Sequence, residues 1–240
     1  YMLLETTSSD ILGYPNTAGG GIDAAVIKIR PDGIKAIWGT FLGGSNREIP
    51  KGITANIREE VILVGQSYSN NYPVTYDAFK KQAGSNWNWA YNGFLTKLNY
   101  DGNIIYSTYI GGSGVDFLMG VTTKRIGCVT HIVVGGYTTS TDFHVTKGAW
   151  RDSARKVNQN GWWYGGAILK LRDTLRLSKI NLGGTRILCN DVYVRLDAEN
   201  IGAEYKWSTG DSTRRIIALD SGTYWVNATY GCGYESDTTH

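Results

Sequence analysis

Methionine occurs twice, histidine and cysteine three times each, and proline four times in 240 residues. Charged side chains make up 19% of the chain, below the usual quarter. These scarcities exclude several functional classes. The three histidines, His131, His144 and His240, show neither H-x-x-H nor H-E-x-x-H spacing, so no metal site is expected. The net charge of +3 is too small to point to a nucleic-acid partner or an anionic membrane surface. The longest apolar runs, such as Val61-Ile62-Leu63-Val64, are far too short to cross a bilayer, so no membrane insertion is expected. No G-x-S-x-G elbow or P-loop occurs. Gly19-Gly20-Gly21 precedes an expected strand and not a helix, which makes it a turn or linker rather than a phosphate cradle. Asp32-Gly33 and Asp101-Gly102 lack the alternating acidic spacing of calcium loops and read as hairpin turns. No catalytic residue and no cofactor is expected.

Glycine, by contrast, occurs 31 times, tyrosine 16 times and tryptophan 8 times. This composition predicts many short strands joined by tight turns. A pattern recurs three times: an apolar strand with a lysine, a turn, a second strand, then Gly-Gly-Ser/Thr. Its copies start at Ala25-Val26-Ile27-Lys28-Ile29, Phe94-Leu95-Thr96-Lys97-Leu98 and Ala167-Ile168-Leu169-Lys170-Leu171. They end at Gly43-Gly44-Ser45, Gly111-Gly112-Ser113 and Gly183-Gly184-Thr185. The lysines step by 69 and 73 residues. Between copies, an apolar strand runs into Gly and a Ser/Thr/Asn cluster, at Val61 to Asn71 and at Ile132 to Asp142. Further strands are predicted near Gly52-Ile53-Thr54-Ala55 and Gly120-Val121-Thr122-Thr123. Met2-Leu3-Leu4 followed by Thr6-Thr7-Ser8-Ser9-Asp10 reads as the end of a further copy. With no initiator Met or signal-peptide pattern at Tyr1, a removed leader or a piece of something longer is expected. Four strands per period is the organisation of a β-propeller blade.

The unit resembles the bacterial β-propeller repeat known as the SBBP repeat. Asn92-Gly93-Phe94-Leu95-Thr96-Lys97-Leu98, Tyr106-Ser107-Thr108-Tyr109-Ile110-Gly111-Gly112-Ser113-Gly114-Val115-Asp116 and Gly136-Tyr137-Thr138-Thr139-Ser140-Thr141-Asp142-Phe143 carry the likeness. The first copy is looser, the third lacks the turn glycine, and the period is longer than the family's usual unit. Asp116 and Asp142 are expected to cap loop amides. The resemblance implies an all-β chain, with propeller blades over 1–186: the end of one blade, two full blades and half of another. A closed ring needs at least four blades, so this stretch is not expected to close alone. Half-blades permit composite blades shared with another chain.

After Gly184 the pattern changes. Short strands within Asp191 to Ala198, Tyr205 to Gly210, Arg215 to Leu219 and Ser221 to Ala228 suggest a small β-sandwich over 187–240, with a final strand cut short. Tyr205-Lys206-Trp207-Ser208-Thr209-Gly210 and Ser221-Gly222-Thr223-Tyr224-Trp225-Val226 resemble the Ig-like or PKD-like modules of Bacteroidetes surface proteins. That resemblance implies a disulfide between Cys189 and Cys232. Cys128 stands alone in the repeat region and reads as a buried small hydrophobe.

Two kinds of surface candidate remain. Trp87, Trp89, Trp162 and Trp163 lie in polar insertions at equivalent places in successive repeats, where loop-borne aromatics suit packing, protein contact or glycan stacking. Ser153, Thr174, Ser212 and Thr238 fit the short O-glycosylation pattern of Bacteroidetes exported proteins. Together the resemblances imply an extracellular or outer cell-surface protein, exported by the type IX pathway. Its expected role is structural or adhesive, by self-assembly into a filament or sheath or by binding a cell-surface partner. The alternative is a glycan-binding module of a larger secreted hydrolase.

Overall fold

The computed structural model describes residues 1–15, 18–84, 91–149, 165–174, 176–185 and 193–240. Among these the regular structure is entirely β, with no helix. The chain forms two compact units. The first comprises Tyr1–Asn56, Glu60–Thr123 and Ile132–Leu171, and the second Ile57–Glu59, Lys124–His131 and Arg172–His240.

Three antiparallel sheets supply most of the first unit. Sheet 1 has the order β1 (Met2–Thr6), β4 (Asp23–Ile29), β5 (Ala36–Leu42). A small hairpin of β2 (Asp10–Ile11) and β3 (Tyr14–Pro15) lies between β1 and β4 in the chain. Sheet 2 is a four-stranded meander of β6 (Glu48–Ala55), β7 (Val61–Ser67), β8 (Asn92–Leu98) and β9 (Ile104–Ile110). Sheet 3 has the order β10 (Asp116–Ile126), β11 (Val129–Thr138), β12 (Gly165–Thr174). No sheet closes on itself among the described residues.

The alternation of side chains across a strand explains how these sheets pack. Strand β7 is buried along its whole length because it serves two cores. Val61 and Leu63 join a cluster with Val26, Leu42, Tyr72, Phe94 and Tyr109. Ile62 and Val64 join another with Leu95, Ile110, Leu118 and Val134. Val61-Ile62-Leu63-Val64 of β7 therefore reads as a continuous apolar run, as a strand covered on both faces should. Strand β12, by contrast, leaves Ile168 82% exposed. Both Asp-Gly turns form as expected: Gly33 and Gly102 take positive φ of 73° and 87° and donate to Arg30 O and Asn99 O. Trp38 Nε1 donates to Tyr100 O at 2.8 Å and Thr40 Oγ1 to Gly102 O at 2.8 Å, tying sheet 1 to the β8–β9 turn.

The second unit holds two further antiparallel sheets. One pairs β13 (Val194–Asp197) with β15 (Arg215–Ala218); the other has the order β14 (Glu204–Trp207), β16 (Tyr224–Thr229), β17 (Tyr234–Thr239). Both contribute to one core of Leu196, Trp207, Ile216, Val226 and Ala228. Trp207, 1% exposed, satisfies its indole by donating to Thr213 O at 2.8 Å. Strand β17 pairs with β16 over all six of its residues.

The third repeat copy departs from expectation. Its lysine strand, β12, is expected to lead into a second strand ending at Gly183-Gly184-Thr185. No strand forms over 176–185. Ile180 and Leu182 instead enter the core of the second unit. Leu182 N donates to Asp237 Oδ2 at 2.6 Å and Thr239 Oγ1 to Gly184 O at 2.9 Å. The apolar spacing is right for a strand, but the buried surface it meets belongs to another module.

Gly111 has φ +149°, and a Cβ there would lie 2.1 Å from Asp116 Oδ2. Gly120, within β10, has nothing within 4 Å of such an atom. Gly111→Ala is expected to destabilise the fold by about 2 kcal/mol or more, and Gly120→Ala to stay within about 0.5 kcal/mol. Urea denaturation of the two variants checks the contrast.

Candidate functional site

The most elaborate polar arrangement in the first unit occurs twice. In sheet 2 the fully buried Glu48 begins β6. Its Oε1 accepts from Ser67 Oγ at 2.7 Å and its Oε2 from Gly44 N at 3.0 Å. Ser69 N donates to Ser67 Oγ at 3.0 Å, and Ser69 Oγ accepts from Asn46 N at 2.9 Å. Asn71 Oδ1 accepts from both the amide and the hydroxyl of Ser45, at 2.9 and 3.0 Å.

Sheet 3 repeats this clasp nearly atom for atom. Asp116, also fully buried, accepts from Gly112 N at 2.9 Å and from the hydroxyls of Thr138 and Ser140. Ser140 N donates to Thr138 Oγ1 at 2.9 Å, and Ser140 Oγ accepts from Gly114 N at 2.9 Å. Asp142 Oδ1 accepts from the amide and hydroxyl of Ser113 at 2.7 and 2.8 Å. The motif common to both is Gly-Gly-Ser-x-x-[Glu/Asp], then Ser/Thr-x-Ser-x-[Asn/Asp] at the end of the next strand. The expected capping roles of Asp116 and Asp142 are seen directly. Glu48 and Asn71, their counterparts in the looser copy, escaped the sequence reading. The signal was present, since the acid stands four residues after the second glycine in both copies.

The clasps are built to secure backbone. Gly43 is hemmed in by Asp23 and Glu48 as Gly111 is by Asp116: an added Cβ would lie 1.9 Å from Asp23 Oδ1 and 2.8 Å from Glu48 Oε2. Burial raises the pKa of Glu48, opposed by its hydroxyl and amide donors and reinforced by Asp23. Burial likewise raises that of Asp116, with Thr138, Ser140, Gly112 and Lys80 opposing. Exposed Asp142 is lowered, chiefly by the bond from Ser113 N.

A second feature lies alongside. Tyr68, Tyr91, Phe117 and Tyr137 are half-buried and form a ladder of rings, with successive centroids 3.9, 5.0 and 4.4 Å apart. Tyr68 follows β7 and Tyr91 precedes β8, while Phe117 and Tyr137 lie in β10 and β11, so no local pattern announces the ladder.

Trp87, Trp89, Trp162, Trp163 and Ser153 lie outside the described residues. Thr174, Ser212 and Thr238 are all exposed, Thr174 ending β12 and Thr238 opposite Trp225 in the β16–β17 pair. They are scattered and form no common site. Among the described residues no three of His, Cys, Asp or Glu are grouped to hold a metal ion, and no helix is long and apolar enough to cross a membrane. A depression of ≈ 230 Å³ in the second unit, lined by Arg176, Tyr230, Cys232 and Glu235 among others, is smaller than ordinary ligand clefts.

The cysteine expected to pair with Cys232, Cys189, falls outside the described residues. Cys232 lies at disulfide distance from Cys128, with Cα atoms 5.5 Å apart. The reason is the length of the β10–β11 hairpin. Its strands run to Ile126 and from Val129, placing Cys128 on the turn. Arg125 also donates to Tyr230 O in the same unit. No family model matches the chain, and no curated protein matches it.

The clasp acids make stability depend on pH. A carboxyl whose folded pKa is raised contributes stability that is complete below its unfolded value and is lost as pH rises through the folded one. Glu48→Gln with Asp116→Asn removes that loss, so the melting temperature of the parent should fall relative to the double variant from pH 4 to pH 8. Glu48→Ala, which strands buried donors, should cost about 2–3 kcal/mol at either pH. Thermal melts across that range test both. For the cysteines, peptide mapping without reductant should recover Cys128 linked to Cys232. Closing a loop of 104 residues makes this bridge worth on the order of 4 kcal/mol, read as the stability lost in Cys128→Ser.

Proposed function

We propose that this chain is a non-catalytic structural or adhesive protein of the cell exterior, built on SBBP-like propeller blades followed by an Ig-like module. The observation that carries the reading is the twice-repeated carboxylate clasp. Its buried acids are engaged in binding turn amides and strand-end hydroxyls, which suits a rigid stacked scaffold offering broad surfaces. The type IX export route, the surface location and any O-glycans at Ser153, Thr174, Ser212 and Thr238 rest on the sequence resemblance. Self-assembly into a filament or sheath follows if repeat sheets at the two ends of the array meet heterologously between subunits, because such contacts keep adding copies when they do not close.

A second reading, glycan binding by a module of a larger secreted hydrolase, is favoured by the ladder of Tyr68, Tyr91, Phe117 and Tyr137. Tyr91 ends the insertion that carries Trp87 and Trp89, so these rings and tryptophans are close in sequence. Aromatic faces of this kind stack on apolar sugar faces.

Light scattering over a hundredfold concentration range separates the two. The structural reading expects particles of several times the 26.4 kDa chain mass, growing with concentration. A particle that stays monomeric, together with glycan binding lost in Tyr91→Ala/Phe117→Ala or in a variant lacking the four insertion tryptophans, overturns it in favour of the second.

A further inference from the structure

The Cys128–Cys232 pair joins two turns that are far apart in the chain and lie together in the second unit. The two cysteines differ in exposure. Cys128, on the β10–β11 turn, is half-buried, while Cys232, on the turn between β16 and β17, is exposed. A thiolate opens a disulfide by attacking one of its sulfurs, and access decides which sulfur is attacked. Here access favours Cys232.

Arg125 spans the same two turns. Its Nε donates to Gly127 O at 2.9 Å, next to Cys128, and its Nη2 donates to Tyr230 O, two residues before Cys232. A Cβ added to Gly231 would lie 3.9 Å from that Nη2. Two consequences follow from this placement. A guanidinium there offers positive charge to the thiolate that a broken bridge leaves behind, and a stabilised leaving thiolate departs faster. Its main-chain bonds also hold the two turns together when the bridge is open, so that the sulfurs can join again.

The depression in the second unit opens on the exposed sulfur. Arg176, which is exposed, and Glu235, which is half-buried, line it together with Cys232. One cationic and one anionic side chain beside a reachable sulfur match the carboxylate and the ammonium of an amino-acid thiol. The volume of ≈ 230 Å³, small for an ordinary ligand, suits a molecule of the size of cysteine.

We infer that Cys232 is a modification site for a small zwitterionic thiol of the cysteine type, which opens the Cys128–Cys232 bridge by exchange. The incoming thiolate attacks Cys232 Sγ. A new sulfur–sulfur bond forms there, the bond to Cys128 breaks, and Cys128 leaves as a thiolate. A second thiolate then attacks the incoming sulfur, releases Cys232 as a thiolate and carries away the small disulfide. Two reagent thiols are oxidised as the protein disulfide is reduced, and the protons they give up pass to the two released cysteines. The tip of the β10–β11 hairpin thereby loses its covalent tie to the β16–β17 turn and keeps the tie through Arg125.

The test treats the intact, folded chain with cysteine or with 2-mercaptoethanol, which carries neither charge. Reactions are stopped with acid, free thiols are alkylated, and peptides are mapped. Cysteine is expected as a mixed disulfide on Cys232, with Cys128 alkylated. Arg176→Gln with Glu235→Gln should slow opening by cysteine about fivefold, the worth of two exposed charge contacts, and leave opening by 2-mercaptoethanol unchanged. Arg125→Gln should slow both reagents alike and delay closure once the reagent is removed. Circular dichroism of each variant before treatment separates a changed rate from unfolding. Cysteine found on Cys128 instead of Cys232 overturns the inference. So does a double variant that opens at the parent rate with cysteine, or a bridge that resists millimolar cysteine until the chain is unfolded.

Discussion

A buried carboxylate that holds a Gly-Gly-Ser turn against the end of the following strand organises the repeat region. Without it, the turns at Gly43-Gly44 and Gly111-Gly112 would present amides to a dry interior with nothing to accept from them. A buried unsatisfied amide costs about 1–3 kcal/mol, and each clasp satisfies one with its carboxylate and others through the hydroxyls that the carboxylate orients. The acid also explains the glycines. Gly43 and Gly111 sit where any side chain would collide with Asp23 or Asp116. Burial raises the pKa of both clasp acids, and their hydroxyl and amide donors oppose the shift.

With the turns secured, the sheets can stack. Sheet 2 presents Val61, Leu63 and Phe94 to one core and Ile62, Val64 and Leu95 to another. This two-sided burial makes a single repeat insufficient by itself, since one isolated sheet leaves half its apolar surface wet. The second unit solves the same problem differently. Its two small sheets turn their apolar faces to a single core around Trp207, and the core recruits Ile180 and Leu182 from what the repeat pattern would have made a strand.

Much of this was legible in the residues. The lysine strands, the Asp-Gly hairpins and the Val61 and Ile132 strands are local signals, written in alternation and in the positive φ that glycine permits. Asp116 and Asp142 were legible as capping residues because their copy keeps the full motif. Glu48 and Asn71 do the same work with different side chains, and only their spacing betrays them. The partner of Cys232 was not legible. Pairing depends on how far the β10–β11 hairpin extends, and its tip, Gly127-Cys128, lacks the Asp-Gly signature of the other hairpins.

The element types, the period and the clasp chemistry are all written in the order of residues, since each depends on side chains close together in the chain. Long-range packing settled which cysteines meet, which rings form the Tyr68–Tyr137 ladder, and that residues 176–185 join the second unit. Those outcomes rest on surfaces brought together from distant parts of the chain. An apolar residue carries no label for the core it will enter; it goes where buried area and satisfied hydrogen bonds are offered together.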